Sequence, residues 1–198
     1  MLASQRGTVP HEHLTTSAGS GGRFVTYTIQ QYNIDFAEES IRQVAAGITG
    51  LTDDELHFRL HPTSNSIGWD AWHIFRTVDN LVHFVFEREE PVWLQQGLDV
   101  KWNLPRVGQG TAMPPEEAWA MRFPPGDQLA QYGLDAWAAV KPRIAAMDDD
   151  YLQVVHHVFP WGDRTRLFIL GKIVSHSAKH LGYMAGAIGV LGRQGPSF

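Results

Sequence analysis

The sequence predicts an all-α fold, a four-helix bundle, from three observations. Four long stretches carry apolar residues at steps of three and four, the period of one helical face. No stretch alternates apolar and polar residues well enough to predict a strand. The 198 residues are 43% hydrophobic and 19% charged, enough for one domain with its own core and too apolar for wholesale disorder.

Residues 1–23 are polar and run into a Ser17-Ala18-Gly19-Ser20-Gly21-Gly22 tract, read as a flexible N-terminal tail in which His11 and His13 are solvated. Residues 24–198 form the single domain. Its first helix is expected from about Tyr27 to Ala46, with Ile34, Ala37, Ile41 and Val44 on the buried face and Gly47 and Gly50 ending it. Leu51 to Leu56 is a short capped helical turn, and His57 and His61 flank the Pro62 break as surface or loop residues.

Asn65 or Ser66 caps the second helix, Ile67 to Phe86. Ile67, Ala71, Ile74, Val78, Leu81 and Val85 form its seam, and Trp69, His73, Arg76 and Asn80 a neighbouring stripe. Residues 87–126 are a long irregular connection rich in proline and glycine, with a short helix starting at Pro115-Glu116-Glu117. The third helix spans about Asp127 to Met147, with a kink or restart expected at Pro142 and Asp148-Asp149-Asp150 as a solvated end.

Val154 to Phe159 reads as an extended piece or a helix end, and Pro160-Trp161-Gly162-Asp163 as a turn. The last helix is expected from about Arg164 to Leu191, with Ile169, Ile173, His176, His180, Met184, Ala187 and Leu191 as its stripe. Gly171, Gly182, Gly186 and Gly189 lower its helix propensity, which makes sense if another helix or a second subunit packs closely there.

Composition removes several function classes. With 16 basic and 21 acidic residues the formal charge is −5, and no basic block occurs, so neither nucleic acid nor an anionic membrane is an expected partner. No run of apolar residues is long enough to span a bilayer, and residues 1–23 lack the apolar core of an export signal, so a cytoplasmic location is expected. The sequence has no cysteine and ten histidines. Disulfides, zinc–cysteine knuckles, iron–sulfur clusters and a cysteine nucleophile are excluded, and any bound metal needs histidine and carboxylate ligands.

His176 and His180, four residues apart, point from one helical face. They either chelate a first-row metal or are buried imidazoles with hydrogen-bond partners. His73 is the natural third ligand, and three histidines with an open position form a catalytic rather than a structural arrangement. Arg76 can clamp a substrate carboxylate or pair with Asp79 or Asp70 along the seam. Asn80, almost above His73, can bond a substrate or a bound water. Asp79 is a weaker candidate for orienting an imidazole, and Tyr183 for the pocket rim. Trp69, Trp72, Trp102 and Trp161 either line a pocket mouth or pack. His156-His157 point in different directions and His83 lies off the ligand face, partly buried or at the surface, so none of these is expected to ligate.

The stretch Asn65-Ser66-Ile67-Gly68-Trp69-Asp70-Ala71-Trp72-His73-Ile74-Phe75-Arg76 resembles the second-helix signature of the DinB/YfiT-like metal-binding four-helix bundles. The stretch His176-Ser177-Ala178-Lys179-His180-Leu181-Gly182-Tyr183-Met184 resembles their last-helix signature, and the likeness spans roughly residues 25–192. The resemblance implies an up-down-down-up bundle, frequently dimeric, with His73, His176 and His180 as a facial triad for zinc, nickel or a similar divalent ion. The signature often continues with a Glu-Asp pair, where this chain has Val78-Asp79. Relatives include transferases and isomerases that use low-molecular-weight thiols such as mycothiol or bacillithiol, and some hydrolases. The leading expectation is therefore a divalent-metal-dependent enzyme, a thiol-dependent S-transferase acting on a small electrophile. Its rivals are a hydrolase using metal-bound water and a non-enzymatic metal-binding structural or interaction bundle. The absence of cysteine leaves room for an external thiol cosubstrate.

Overall fold

The computed structural model describes residues 26–195. The expected tail at residues 1–23, with His11 and His13, lies outside them. Helix α1 spans Ile29–Ile48, its first turn capped by the Thr28 hydroxyl, which accepts from Gln31 N. It outruns the expected end at Ala46 because its last turn is still covered: Ile48 is fully buried. Gly50, at φ +72°, then turns the chain. The short capped turn is present as Asp53–Leu56, closed by a reciprocal Thr52–Glu55 capping box.

Helix α2, Ile67–Asn80, is capped by Ser66. The α-helix was expected to continue to Phe86, but Leu81–Val85 widen into a π-helical turn. That turn sets His83 against Asp79, with its Nδ1 2.9 Å from Asp79 Oδ1. His83, expected partly buried or at the surface, is only 1% exposed. The long connection carries three short helices among its described residues, Val92–Gln95, Leu98–Lys101 and Pro115–Ala120, where one was expected. Four-residue helices have no room for a recognisable apolar period, so only the Pro-Glu-Glu start was readable.

Helix α3 spans Gly126–Ala145 and is not restarted at Pro142, which sits in its last turn, so the one ladder bond that its missing N–H removes lies close to the helix end. Asp148 ends the pattern by capping Asp149–Leu152, accepting from Tyr151 N. Residues 155–165 correct the expectation of no strand. Val155–Val158 (β1) pairs antiparallel with Gly162–Thr165 (β2) in a small hairpin. Its strands are four residues each, too short to show alternation. Helix α4 consequently starts at Arg166 instead of Arg164 and runs to Val190.

Cross-helix contacts fix the helix directions. Gln30, at the start of α1, bonds Met147 O beyond the end of α3, and Lys141 pairs with Glu38 at 2.6 Å, so α1 and α3 are antiparallel. The start of α2 meets Phe123 just before α3, at Gly68, and Glu89 beyond α2 pairs with Arg143 near the end of α3, so these two run parallel. Asp70 meets His180 while Arg166 donates to Phe86 O, so α2 and α4 are antiparallel. The order is up-down-down-up.

Two glycines allow the close packing. A Cβ on Gly126 would lie 2.0 Å from Ile48 O, and one on Gly133 would lie 2.4 Å from the Phe75 ring. The α4 glycines differ: Gly171, Gly182, Gly186 and Gly189 have nothing within 4 Å of a built Cβ, so no described helix packs there. No described helix is long and apolar enough to cross a membrane.

The core is tied by one buried carboxylate. Asp79, with no exposed surface, accepts from Val92 N at 3.0 Å, Trp93 N at 2.9 Å and Tyr132 Oη at 2.9 Å, joining α2, the connection and α3.

Candidate metal centre

The antiparallel pairing of α2 and α4 brings His73 opposite His176 and His180. One ligand nitrogen from each lies within 4.8 Å of the others, and the Nε2 atoms of His73 and His176 are 3.1 Å apart. The structure thus brings together the three histidines that spacing alone left as candidates. Residues from elsewhere hold two of the rings. His73 Nδ1 meets the carbonyl of Gln109 in the connection. His180 Nδ1 lies 2.7 Å from Asp70 Oδ1.

These outer partners determine the protonation pattern. A carbonyl oxygen only accepts, so His73 carries its proton on Nδ1 and presents a lone pair at Nε2. The Asp70 carboxylate does the same for His180. Burial pushes the His73 imidazole down to about 3, with the charges of His180 and His176 adding to it. Burial, then the charges of His180, Lys179 and Lys172, push His176 down to about 4. Burial also raises the Asp70 carboxyl, against the opposing bond to His180. His73 and His176 are therefore neutral at pH 7, the form in which imidazole ligates metal. Neutral, converging nitrogen donors from two helices fit a divalent first-row ion, and three of them leave positions open for another ligand.

The low value at His73 predicts a pH dependence of the metal-free fold. Below pH 6.5 the unfolded imidazole binds a proton that the folded one refuses until about pH 3. Stability contributed by neutral His73 is thus complete above 6.5 and lost as pH falls toward 3, at up to about 1.4 kcal/mol per pH unit. Urea unfolding in chelator at pH 7 and pH 5 is expected to show a smaller loss in His73→Asn than in wild type. Equal losses would contradict a buried neutral imidazole.

Arg76 and Asn80 do not join the ligand nitrogens. Arg76, 1% exposed, donates to Gly108 O at 3.0 Å, sits over the Trp93 ring at 5.0 Å and lies 3.8 Å from Asp79. Asn80 Nδ2 donates to Gln109 Oε1 at 2.9 Å. Both side chains hold the loop whose carbonyl orients His73. His156 accepts from Arg166 and His157 pairs with Asp163, so neither is near the triad.

Two cavities flank the triad. One of about 230 Å³ is bounded by His73, His176, Trp69, Thr77, Trp161 and the 109–112 loop. The other, about 280 Å³, touches His180, Asp70 and Tyr183. Of the four tryptophans considered, Trp69 and Trp161 line the first, Trp72 is fully buried and Trp102 packs edge-on against Trp93. Sequence reasoning missed Asp70 as a partner of His180, Gln109 and Thr77. Asp70 and Thr77 carry a signal, since they stand three and four residues from His73 along α2. Gln109 carries none, because it acts on His73 through its backbone oxygen.

A family model described as the DinB superfamily matches residues 37–184. Among solved structures, the chain is similar to a conserved protein from Enterococcus faecalis, with a TM-score of 0.74 and 20% identity, over 85% of this chain and 100% of that one. At that identity the likeness speaks for the fold. No curated protein matches the chain.

Proposed function

The chain belongs to the DinB superfamily, and from that premise and the site geometry we propose that it is a divalent-metal-dependent enzyme acting on a small molecule. The observation that carries the proposal is the pair of outer contacts, Gln109 O on His73 and Asp70 on His180, which turn two Nε2 lone pairs toward one point. His73, His176 and His180 hold the ion, with zinc and nickel suiting an all-imidazole set. A bound divalent ion lowers the pKa of a water or thiol that reaches it and so supplies a nucleophile near neutral pH. The protein's part is to hold the imidazoles neutral and oriented and to wall the reactants into a cavity.

Thiol-dependent S-transfer is the preferred reaction. The reacting sulfur has to come from outside a chain that has no cysteine. The sulfur bonds to the electrophilic carbon, the leaving group departs with the bonding pair, and the thiol proton passes to solvent. Metal analysis of tag-free protein tests the centre. Turnover of an alkyl halide with a small thiol, compared with water alone, separates transfer from hydrolysis. Turnover with water alone at the same rate would favour the hydrolase. A homodimer belongs to the same reading, supported by the glycine face of α4 that no described residue covers, and sedimentation equilibrium tests it.

We assign Arg76 and Asn80 to positioning. By tying down Gly108 and Gln109 they keep the Gln109 carbonyl on His73. Asn80→Ala and Gln109→Ala are each expected to weaken metal binding by about tenfold, and the double variant by no more than either alone. Competition against a chromophoric chelator measures this. Wild-type affinity in both single variants would refute the assignment.

A further inference from the structure

The lining of the cavity on the His73 and His176 side selects a class of ligand, an inference that rests on the metal-centre reading above. Among the described residues, no Asp, Glu, Lys or Arg side chain lines this cavity. Aromatic rings make up much of its wall, beside Thr77 and the 109–112 loop. The Trp69 indole stacks on His73, with ring centroids 4.6 Å apart and planes 22° apart. Trp161 meets His176 edge-on at 6.4 Å, and Phe159, 64% exposed, stands at the rim. The Trp69 indole is held in place by Gly110, where a built Cβ would lie 2.6 Å from Trp69 Cζ2.

Three lining residues carry a buried polar atom with no hydrogen-bond partner among the described residues, Thr77 Oγ1, Trp69 Nε1 and His176 Nδ1, and the Thr77 hydroxyl is the one that can both donate and accept. Thr77, 3% exposed and one turn beyond His73, has a buried hydroxyl with no hydrogen-bond partner among the described residues. A buried hydroxyl without a partner is costly, and a ligand oxygen beside it removes that cost. A charged ligand body would lose its hydration against these rings with no lining side chain of opposite charge to replace it, the ion's charge being met by the ligand's oxygen-bearing head, whereas a planar uncharged body gains ring contacts on several sides.

We propose that this cavity binds small molecules with a planar, uncharged body, aromatic or conjugated, joined to an oxygen-bearing head that reaches the metal centre and bonds Thr77. Trp161 and Phe159 are specificity-determining residues for the body, and Thr77 for the head. Benzohydroxamate and acetohydroxamate share a head and differ in the ring, so they separate the two parts.

The test titrates each into the full-length cobalt-loaded protein and follows the visible absorption of the metal. Benzohydroxamate is expected to bind at least about tenfold more tightly. Trp161→Ala is expected to bring the two within about twofold without changing acetohydroxamate affinity. Thr77→Val is expected to weaken both by about tenfold with cobalt affinity unchanged. Equal affinities in the wild type, or a ring preference that survives Trp161→Ala, would overturn the body assignment, and wild-type binding in Thr77→Val the head assignment. Failure to take up cobalt would overturn the metal reading instead. The ring preference is then read by saturation-transfer NMR with benzamide and acetamide on the same protein, where equal signals would overturn it.

Discussion

Replacing His73 with alanine is expected to abolish stoichiometric binding of a divalent ion, lowering affinity by at least about a hundredfold. The variant leaves His176 and His180, a two-nitrogen chelate on one helix, and removes the only ligand from α2. It also frees the Gln109 carbonyl, so the connection loses its hold on the centre. The fold is expected to survive with a loss of a few kcal/mol, because His73 is one buried side chain in a core built from all four main helices. Circular dichroism and metal analysis of tag-free protein separate the outcomes. His73→Ala or His176→Ala with a full equivalent of tightly bound metal would sink the triad. Asp70→Asn provides a graded control, since it keeps the shape and removes the charge behind His180, at an expected cost of about tenfold.

The second large effect is on stability. Asp79→Ala is expected to destabilise the protein by about 3–5 kcal/mol in urea unfolding, the range for stripping one partner from a buried charged network. Three donors, Val92 N, Trp93 N and Tyr132 Oη, lose their acceptor at once, and Arg76 loses the carboxylate 3.8 Å away. Asp79→Asn is expected to lose less, because its amide oxygen still accepts some of these bonds while its NH₂ faces donors. A loss under about 1 kcal/mol for the alanine variant would show that water replaces the carboxylate and that the hub is not what ties the connection to the bundle.

The helices and ligands were legible because they depend on period. Ile67, Ala71, Ile74 and Val78 mark α2, and His176 and His180 sit on the stripe that α4 buries toward it. The three ligands needed only their helices and a bundle. The π-helical turn at Leu81–Val85 was hidden because it leaves the apolar step from Leu81 to Val85 in place, and the Asp79 network because it gathers donors from residues 92, 93 and 132. Arg76 was ambiguous for a similar reason. On the helix surface it is a cation beside a histidine, and only the path of the connection shows that its guanidinium meets Gly108 O and the Trp93 ring. The hairpin at residues 155–165 escaped because pairing, not alternation, defines strands that short.

The parallel course of α2 and α3 has a consequence for how such a protein changes. Antiparallel neighbours can be joined by a few residues, but parallel ones oblige the chain to travel back along the whole bundle, about 20 Å for a helix of α2's length. In this chain that return journey passes over the metal centre. It supplies the oxygen behind His73 and part of the wall of the adjoining cavity. The stretch that borders the candidate metal centre is therefore a loop outside the four main helices, anchored to α2 at Gly108, Gln109 and Gly110. A change in residues 111–113, beyond those anchors, would reshape the cavity wall while leaving the helices and the contact behind His73 in place.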